Sequence, residues 1–163
     1  MPQHLEALAN EILQHAKAAQ LTLATAESCS AGRLAMAFSK GEGASQHFTG
    51  GLVTYTKEAK SLLLGVPRDM LSRETAVSAN VATAMARGAV VRAKASLAVA
   101  ITGVTGPDPD EDGNPVGLVY CAVARSDGGS RHLRLELADN EPETLIEKSC
   151  EAALRLLRDF AFA

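Results

Sequence analysis

The sequence is poor in aromatic residues, in basic charge and in long apolar runs, and each shortage excludes a class of protein. Aromatic residues make up only 4% of the 163 residues, and Trp does not occur. The net charge of −3 lacks the basic surplus that is typical of nucleic-acid-binding proteins. No stretch of about 18 uncharged apolar residues occurs, so we expect no segment to span a membrane. We also expect no signal peptide, because Met1 is not followed by a basic start and an apolar run.

Cysteine and histidine are also scarce, and their spacing matches no metal or redox motif. The cysteines lie far apart, at Cys29, Cys121 and Cys150. Such a set favours a reduced, cytoplasmic protein over a disulfide scaffold. The stretch from Asp108 to Gly113 matches the start of a calcium loop, but Val119 stands where that loop needs a bidentate glutamate. We therefore expect no metal, and we interpret this stretch as a solvated acidic loop.

Helix and strand patterns alternate along the chain. Apolar residues at helical spacing predict helices over residues 3–19, 32–39, 57–64, 79–93 and 142–160. Short apolar runs predict strands over residues 21–26, 48–55, 97–102, 117–124 and 131–137. A hairpin turn at residues 126–129 joins the last two strands. This order predicts an α/β fold, a three-layer α/β/α sandwich with a central mixed, partly parallel sheet. We see no linker or repeat and expect one domain over residues 1–163.

The first candidate segment, residues 27–32, follows the strand at 21–26 and reads Glu-Ser-Cys-Ser-Ala-Gly. Ligands collect beyond the carboxyl ends of strands in such sheets, and small residues let a ligand approach the backbone. If a helix begins here, its free N–H groups favour a phosphate or a developing oxyanion. The alternative is that Ser28 or Ser30 only caps the helix, and the segment taken alone favours capping.

The second candidate segment, residues 55–60, follows the strand at 48–55 and contains two lysines, Lys57 and Lys60. A serine is a weak nucleophile until a neighbouring base accepts its proton. A lysine can be that base when burial or a cationic neighbour lowers its pKa. The alternative is that both lysines are solvated surface residues, which is the usual position of lysine, and their spacing does not exclude it.

The third candidate segment, residues 102–107, follows the strand at 97–102 and reads Thr-Gly-Val-Thr-Gly-Pro. Its glycines and threonines can offer backbone N–H and hydroxyl donors to a phosphate or a carbonyl oxygen. No Gly-Lys-Ser/Thr follows, so it is not a Walker loop. A plain tight turn is an equally good interpretation of these residues.

Taken together, these segments resemble the C-terminal domain of the competence/damage-inducible protein CinA. The matching segments are residues 25–32, 50–55, 58–60, 64–66, 76–78, 102–103, 106–107 and 115–117. Each match is weak by itself, but their joint order and spacing are specific. The resemblance covers about residues 5 to 160.

Members of this family convert nicotinamide mononucleotide to nicotinate mononucleotide and ammonia. The resemblance therefore implies a Ser/Lys amidohydrolase that acts on a small nucleotide and needs no metal and no organic cofactor. It makes Ser28 the nucleophile and Lys60 the base, with Tyr55 beside them to orient the lysine or relay a proton. For this mechanism the Ser28 hydroxyl and the Lys60 nitrogen must approach to roughly 2.6–3.2 Å, or somewhat further without ligand.

The resemblance also implies a set of substrate-binding residues. They are Ser30, Ala31, Gly32, Ser45, Thr102, Gly103, Thr105 and Gly106. Backbone N–H groups near residues 30–32 or at Gly103 can hold the oxyanion, and Arg33 is a candidate for the phosphate. As partners we expect the nucleotide and further copies of the chain, a homo-oligomer, and neither nucleic acid nor membrane.

The chain departs from the usual family pattern at several positions. The departures are Ser30 and Ala31 for Thr and Gly, Thr56–Lys57 for Ser–Asn, Thr105 for Ala, and Ala138–Asp139–Asn140 for Gly–Asp–Arg. If the missing arginine binds phosphate in the family, this chain binds it differently or poorly. Two rival hypotheses remain: Cys29 is the nucleophile with Glu27 and Lys60, or the site is degenerate and only binds a nucleotide or a protein partner.

Overall fold

The helices and strands follow the predicted order closely. The structure is a computed structural model that describes residues 1–138 and 141–163. Its helices are α1 (Gln3–Ala18), α2 (Arg33–Ser39), α3 (Ala44–His47), α4 (Lys57–Leu64), α5 (Arg68–Glu74), α6 (Ala79–Ala93) and α7 (Pro142–Ala161). Its strands are β1 (Leu23–Glu27), β2 (Phe48–Val53), β3 (Leu97–Gly103), β4 (Leu118–Arg125) and β5 (Ser130–Glu136). The short helices α3 and α5 were not predicted, and β2 ends two residues before the predicted end of its strand.

The five strands form one mixed sheet in the order β2-β1-β3-β4-β5. β1 pairs in parallel with both β2 and β3, whereas β4 and β5 run antiparallel. In this register Glu27, the last residue of β1, lies beside Val53 and Ile101. The carboxyl ends of the three parallel strands therefore meet at one edge of the sheet, and all three candidate segments begin there.

Helices cover both faces of the sheet, which confirms the predicted three layers. On one face, larger side chains such as Leu23 and Ile101 pack against α1, α2 and α7. The other face is lined by alanines, among them Ala24 and Ala100, and α6 packs on it. Small side chains in the sheet allow this close approach of the helix. In the part of the chain that the structure describes, none of the helices combines the length and the apolarity that crossing a bilayer requires.

Candidate active site

A serine and a lysine form a buried hydrogen-bonded pair where β1 and β2 end. Ser28 follows β1, and its side chain lies within the fold, only 7% exposed. Lys60 lies one turn into α4 and is 1% exposed. The Lys60 Nζ is 2.8 Å from the Ser28 Oγ, inside the range that the Ser/Lys mechanism requires. The alternative of a solvated surface lysine is wrong for Lys60.

The direction in which Lys60 points follows from the way α4 begins. The Thr56 hydroxyl caps the helix by accepting the Ala59 N–H at 3.1 Å, so α4 starts directly after the sheet edge. Lys60 then lies on the inward face of α4, and its Nζ donates a second hydrogen bond to the Thr54 carbonyl at 2.8 Å. Because both contacts lie inside the fold, the amine is directed at Ser28.

Burial changes the acidity of the Lys60 ammonium. Removing the charged group from water lowers the pKa of Lys60 from its ordinary value of 10.5 to about 8. A lysine with this pKa is neutral in roughly a tenth of molecules at pH 7, whereas an ordinary lysine is almost wholly charged. The side chain is therefore able to accept a proton from Ser28 near neutral pH.

Tyr55 lies beside the pair but does not hold the lysine. Its side chain lines the same cleft as Ser28 and Lys60 and is 70% exposed. The hydrogen-bond partners of Lys60 are Ser28 and the Thr54 carbonyl. In this structure a backbone carbonyl, that of Thr54, helps to orient the lysine. A contact of Tyr55 with substrate or a proton relay stays a prediction.

The pair opens into a cleft of about 420 Å³, a size within the usual range of small-molecule sites. The predicted ligand loop after β3 forms one wall, and Thr102, Gly103, Thr105 and Gly106 all line it. Within this loop the Thr102 hydroxyl is already engaged, because it donates to the Ala76 carbonyl at 2.6 Å. The Val104 N–H is engaged as well, because it donates to the Leu118 carbonyl at 2.9 Å, and the donors of Thr105 and Gly106 remain to face a ligand.

Gly103 has a clear steric reason to be glycine. A Cβ at this position would lie 2.8 Å from the Leu118 carbonyl oxygen and 2.6 Å from the Val119 side chain. No real Cβ tolerates such distances, so only glycine lets the end of β3 run this close to β4. The closeness of the two strands brings the start of the ligand loop to the rim of the cleft.

Ser30, Ala31 and Gly32, three of the predicted substrate-binding residues, lie outside the lining of the cleft. The Ser30 hydroxyl and the Gly32 N–H both donate to the Glu27 carboxylate, at 2.7 and 3.0 Å. Ala31 is exposed to solvent, and none of these three residues lines the cleft. The donors of Ser30 and Gly32 are thus already taken by an internal carboxylate, and substrate binding by Ser30, Ala31 and Gly32 stays a prediction.

Ser45, another predicted substrate-binding residue, lies far from the Ser28–Lys60 pair. It is an exposed residue of α3, which leads into the amino end of β2. Because β2 runs parallel to β1, the amino end of β2 lies at the edge of the sheet opposite the one where Ser28 lies. Within one chain Ser45 does not reach the cleft.

The outer wall of the cleft is acidic and holds the second lysine. Asp108, Asp110, Glu111 and Asp112 line this wall. Lys57 also lines the cleft, and its Nζ lies 2.6 Å from Asp112 and 3.5 Å from Glu111. These carboxylates, Asp112 first, raise the pKa of Lys57, so this lysine is a fixed positive charge rather than a base.

The stretch that resembles a calcium loop is a turn held by its own carboxylate. Asp110 accepts the N–H groups of Asp112 and Asn114 at 3.0 and 2.8 Å, and it also accepts the Asn114 side-chain amide. Within residues 1–138 and 141–163, no three His, Cys, Asp or Glu side chains group as metal ligands would. Asp110 therefore stabilises the turn of this loop, and Glu111 and Asp112 pair with Lys57.

Arg33, one candidate for binding the phosphate, does not line the cleft. Its guanidinium forms a two-pronged pair with the Glu143 carboxylate of α7, and this pair raises the pKa of Arg33. No arginine of the described residues lines the cleft. The departure at Asp139 and Asn140 lies outside the described residues.

The rival nucleophile, Cys29, has the wrong acidity. It lines the cleft, but burial raises the pKa of its thiol to about 12. A thiol acts as a nucleophile in its ionised form, which is scarce here at neutral pH. The proposed helper Glu27 is engaged with the start of α2, and Lys60 is hydrogen-bonded to Ser28. The geometry favours the serine over the cysteine.

Comparison with known proteins identifies the family. The family model described as "CinA C-terminal domain" matches residues 5–161 of this chain. The chain belongs to the CinA C-terminal domain family. A CinA-like protein from Synechococcus sp. (strain RCC307) is 44% identical over 154 residues, which are 94% of this chain and 37% of that protein. The chain thus spans little more than a third of the length of that relative.

Solved CinA structures share the whole fold. A CinA superfamily protein from Escherichia coli superposes with a TM-score of 0.90 at 38% identity, covering 96% of this chain and 90% of that one. A competence/damage-inducible protein from Agrobacterium tumefaciens gives a TM-score of 0.92 at 35% identity, covering 98% and 96% of the two chains. The CinA fold predicted from the sequence is therefore confirmed.

Proposed function

We propose that this CinA-family chain is an amidohydrolase that converts nicotinamide mononucleotide to nicotinate mononucleotide and ammonia. The observation that carries the reaction class is the 2.8 Å contact between the buried Lys60 amine and the Ser28 hydroxyl, at the base of an open cleft. A nucleophile within hydrogen-bond reach of a base is the arrangement that acyl transfer needs. The nicotinamide nucleotide as substrate comes from the family resemblance.

The reaction proceeds through an acyl-enzyme. Neutral Lys60 accepts the Ser28 proton while Oγ attacks the carboxamide carbon, and an oxyanion forms on the amide oxygen. Lys60 then gives its proton to the amide nitrogen, the C–N bond breaks, and ammonia leaves. Water attacks the resulting ester while Lys60 again accepts a proton. When the ester bond breaks, that proton returns to the Ser28 oxygen and the acid is released.

The oxyanion needs hydrogen-bond donors, and the two predicted sources are not equally available. The N–H groups of Gly32, Leu34 and Ala35 all donate to Glu27. The ligand loop after β3 faces the cleft and includes Thr105 and Gly106. We therefore assign oxyanion stabilisation to the loop at residues 103–106 rather than to the start of α2.

Ammonia release from nicotinamide mononucleotide tests this function, with Ser28→Ala and Cys29→Ala as a matched pair. Both replacements remove one heteroatom at neighbouring positions of the same cleft. We expect Ser28→Ala to lower kcat by at least about a thousandfold, because the nucleophile is lost. Cys29→Ala should stay within about threefold of the wild type. Full activity in Ser28→Ala would exclude the assignment.

A binding module without turnover is the second candidate, because Thr56, Lys57 and Thr105 depart from the family pattern and line the cleft. The cation beyond the Ser28–Lys60 pair, Lys57, is already paired with Asp112 and Glu111. Calorimetric binding of the nucleotide without ammonia release would support this candidate. The cytoplasmic location and the homo-oligomer stay predictions.

A further inference from the structure

Glu27 precedes the nucleophile, is 0% exposed, and takes part in no step of the proposed reaction. Its two carboxylate oxygens nevertheless accept five hydrogen bonds. Oε1 accepts from Thr25 Oγ1 (3.0 Å) and Ala35 N (2.8 Å), and Oε2 accepts from Ser30 Oγ (2.7 Å), Gly32 N (3.0 Å) and Leu34 N (3.1 Å). All five partners are donors, so the side chain acts only as an acceptor, as an ionised carboxylate does.

These contacts hold the turn that carries Ser28. The turn needs two consecutive residues with left-handed backbone, Ala31 with φ 48° and Gly32 with φ 98°. Alanine rarely adopts this conformation unless its surroundings impose it. The Glu27 carboxylate imposes this conformation, because it accepts hydrogen bonds from Ser30 on one side of Ala31 and from Gly32 on the other. It also satisfies backbone N–H groups in the first turn of α2, which have no partner within the helix.

The backbone of Glu27 is connected by hydrogen bonds to Lys60, the second residue of the catalytic pair. The Glu27 carbonyl accepts the Thr54 N–H at 2.7 Å, and the Thr54 carbonyl accepts the Lys60 amine at 2.8 Å. The amine in turn contacts Ser28, which follows Glu27 in the chain. A closed ring of contacts thus passes from Glu27 through Thr54 and Lys60 to Ser28, so a shift of residue 27 moves both reacting groups.

We propose that Glu27 is a positioning residue whose carboxylate fixes the turn at residues 28–32 and thereby directs the Ser28 hydroxyl at Lys60. The inference rests on the proposed role of Ser28 as nucleophile. Glu27 is not itself a base in the reaction, because both oxygens are occupied and the residue does not line the cleft. It acts through the orientation of Ser28.

The test measures the reactivity of Ser28 directly, by sulfonylation with phenylmethylsulfonyl fluoride followed by mass spectrometry. In this reaction the Ser28 Oγ–S bond forms, the S–F bond breaks, fluoride leaves, and Lys60 accepts the serine proton. Glu27→Gln keeps the shape but turns an N–H₂ donor toward N–H donors. We expect its sulfonylation rate and kcat to fall at least tenfold, while KM changes less than threefold. Ser30→Ala and Thr25→Val each remove one contact and should lower the rate two- to fivefold.

The pH dependence separates positioning from an electrostatic role. Burial sets the pKa of Lys60, so the midpoint of the pH–rate profile should stay near 8 in Glu27→Gln. A midpoint moved by one unit or more would overturn the inference, because Glu27 would then act on the base. The matched control is Glu143→Gln, which removes an exposed carboxylate that contacts α2 through Arg33 and should react like the wild type.

A folded Glu27→Gln with a sulfonylation rate within twofold of the wild type also overturns the inference. If Glu27→Gln does not fold, Ser30→Ala and Thr25→Val provide the test instead. Wild-type sulfonylation rates in both of these variants would overturn the inference. Failure of the proposed function gives a different result. If the wild-type protein is sulfonylated at Ser28 but releases no ammonia from the nucleotide, the proposed function is wrong. The test of Glu27 as a positioning residue can then still be carried out. Wild-type protein that is not sulfonylated at Ser28 defeats both.

Discussion

The charged amine of Lys60 is buried, and burying this charge lowers the stability of the folded state by an amount that follows from the shift in its pKa. Burial lowers its pKa from 10.5 to about 8, and a difference of about 2.5 units corresponds to about 3.4 kcal/mol. Below pH 8 the lysine is charged in both the folded and the unfolded chain, so the folded state bears the full cost. Between pH 8 and 10.5 the folded chain loses the proton first, and the free energy of unfolding rises with pH.

Replacement of Lys60 by Met removes the charge at nearly constant length and should abolish this rise. The variant also loses the contacts to Ser28 and to the Thr54 carbonyl, which adds an offset that is nearly constant with pH. We expect the free energy of unfolding of Lys60→Met minus that of the wild type to fall by about 2.5 kcal/mol between pH 7 and pH 10. Urea unfolding at the two pH values measures this difference.

Lys57→Met is the matched control. Asp112 raises the pKa of Lys57 above its ordinary value of 10.5, so this lysine stays mostly charged in both states from pH 7 to pH 10. The difference in unfolding free energy between Lys57→Met and the wild type should therefore change by only about 0.2 kcal/mol over that interval. If Lys60→Met behaves like Lys57→Met, the pKa of Lys60 is not lowered, and the argument that Lys60 is a base near neutral pH fails with it.

Three further predictions concern activity and packing. The rate of ammonia release should rise with pH to a plateau with a midpoint near 8, because only neutral Lys60 accepts the serine proton; a profile that is flat from pH 6 to 9 would contradict this. Lys57→Gln should change KM for the nucleotide but leave the sulfonylation rate of Ser28 within twofold, because Lys57 lines the cleft without contacting the pair. In urea unfolding, the same variant should lose less than about 1 kcal/mol of unfolding free energy, as expected for a partly exposed ion pair. Gly88→Ala should destabilise the fold by about 1–3 kcal/mol in urea unfolding, since its Cβ would lie 2.1 Å from the Leu64 carbonyl oxygen; unchanged stability would contradict the α4–α6 packing.

The sequence predicted the long elements well because their patterns extend over several turns. The apolar repeat of α1 and the Ser78 cap of α6 gave helix limits that the structure reproduces within a residue, and the Ser78 hydroxyl accepts the Val81 N–H as a cap should. Helices α3 and α5 have four and seven residues. So few residues give too little periodicity to detect, and α5 is held by burial of Leu71 against its neighbours rather than by its own pattern.

The Ser28–Lys60 pair could be expected from the family resemblance but not from spacing. The two residues are 32 positions apart and meet only because β2 lies beside β1 in the sheet. The Thr54 carbonyl that holds Lys60 could not be predicted at all, since a backbone oxygen carries no sequence signal. Glu27 did carry a sequence signal, because it ends a short strand whose other residues are apolar except Thr25. A carboxylate placed there needs hydrogen-bond donors once the strand is buried, as it is in the structure.

The position of Glu27 also bears on how a phosphorylated substrate can fit. The start of α2 is the place where an anion would be expected, yet the Glu27 carboxylate already occupies its N–H groups. Lys60 is directed at Ser28, so the cation of the cleft that can meet a phosphate is Lys57, which Asp112 and Glu111 now hold. Ion pairs of this partly exposed kind contribute little net free energy, so releasing Lys57 from its carboxylates costs about 1 kcal/mol or less. In the proposed reaction, the phosphate of a nucleotide would also meet the repulsion of the carboxylates at residues 108–112, which an uncharged amide does not meet.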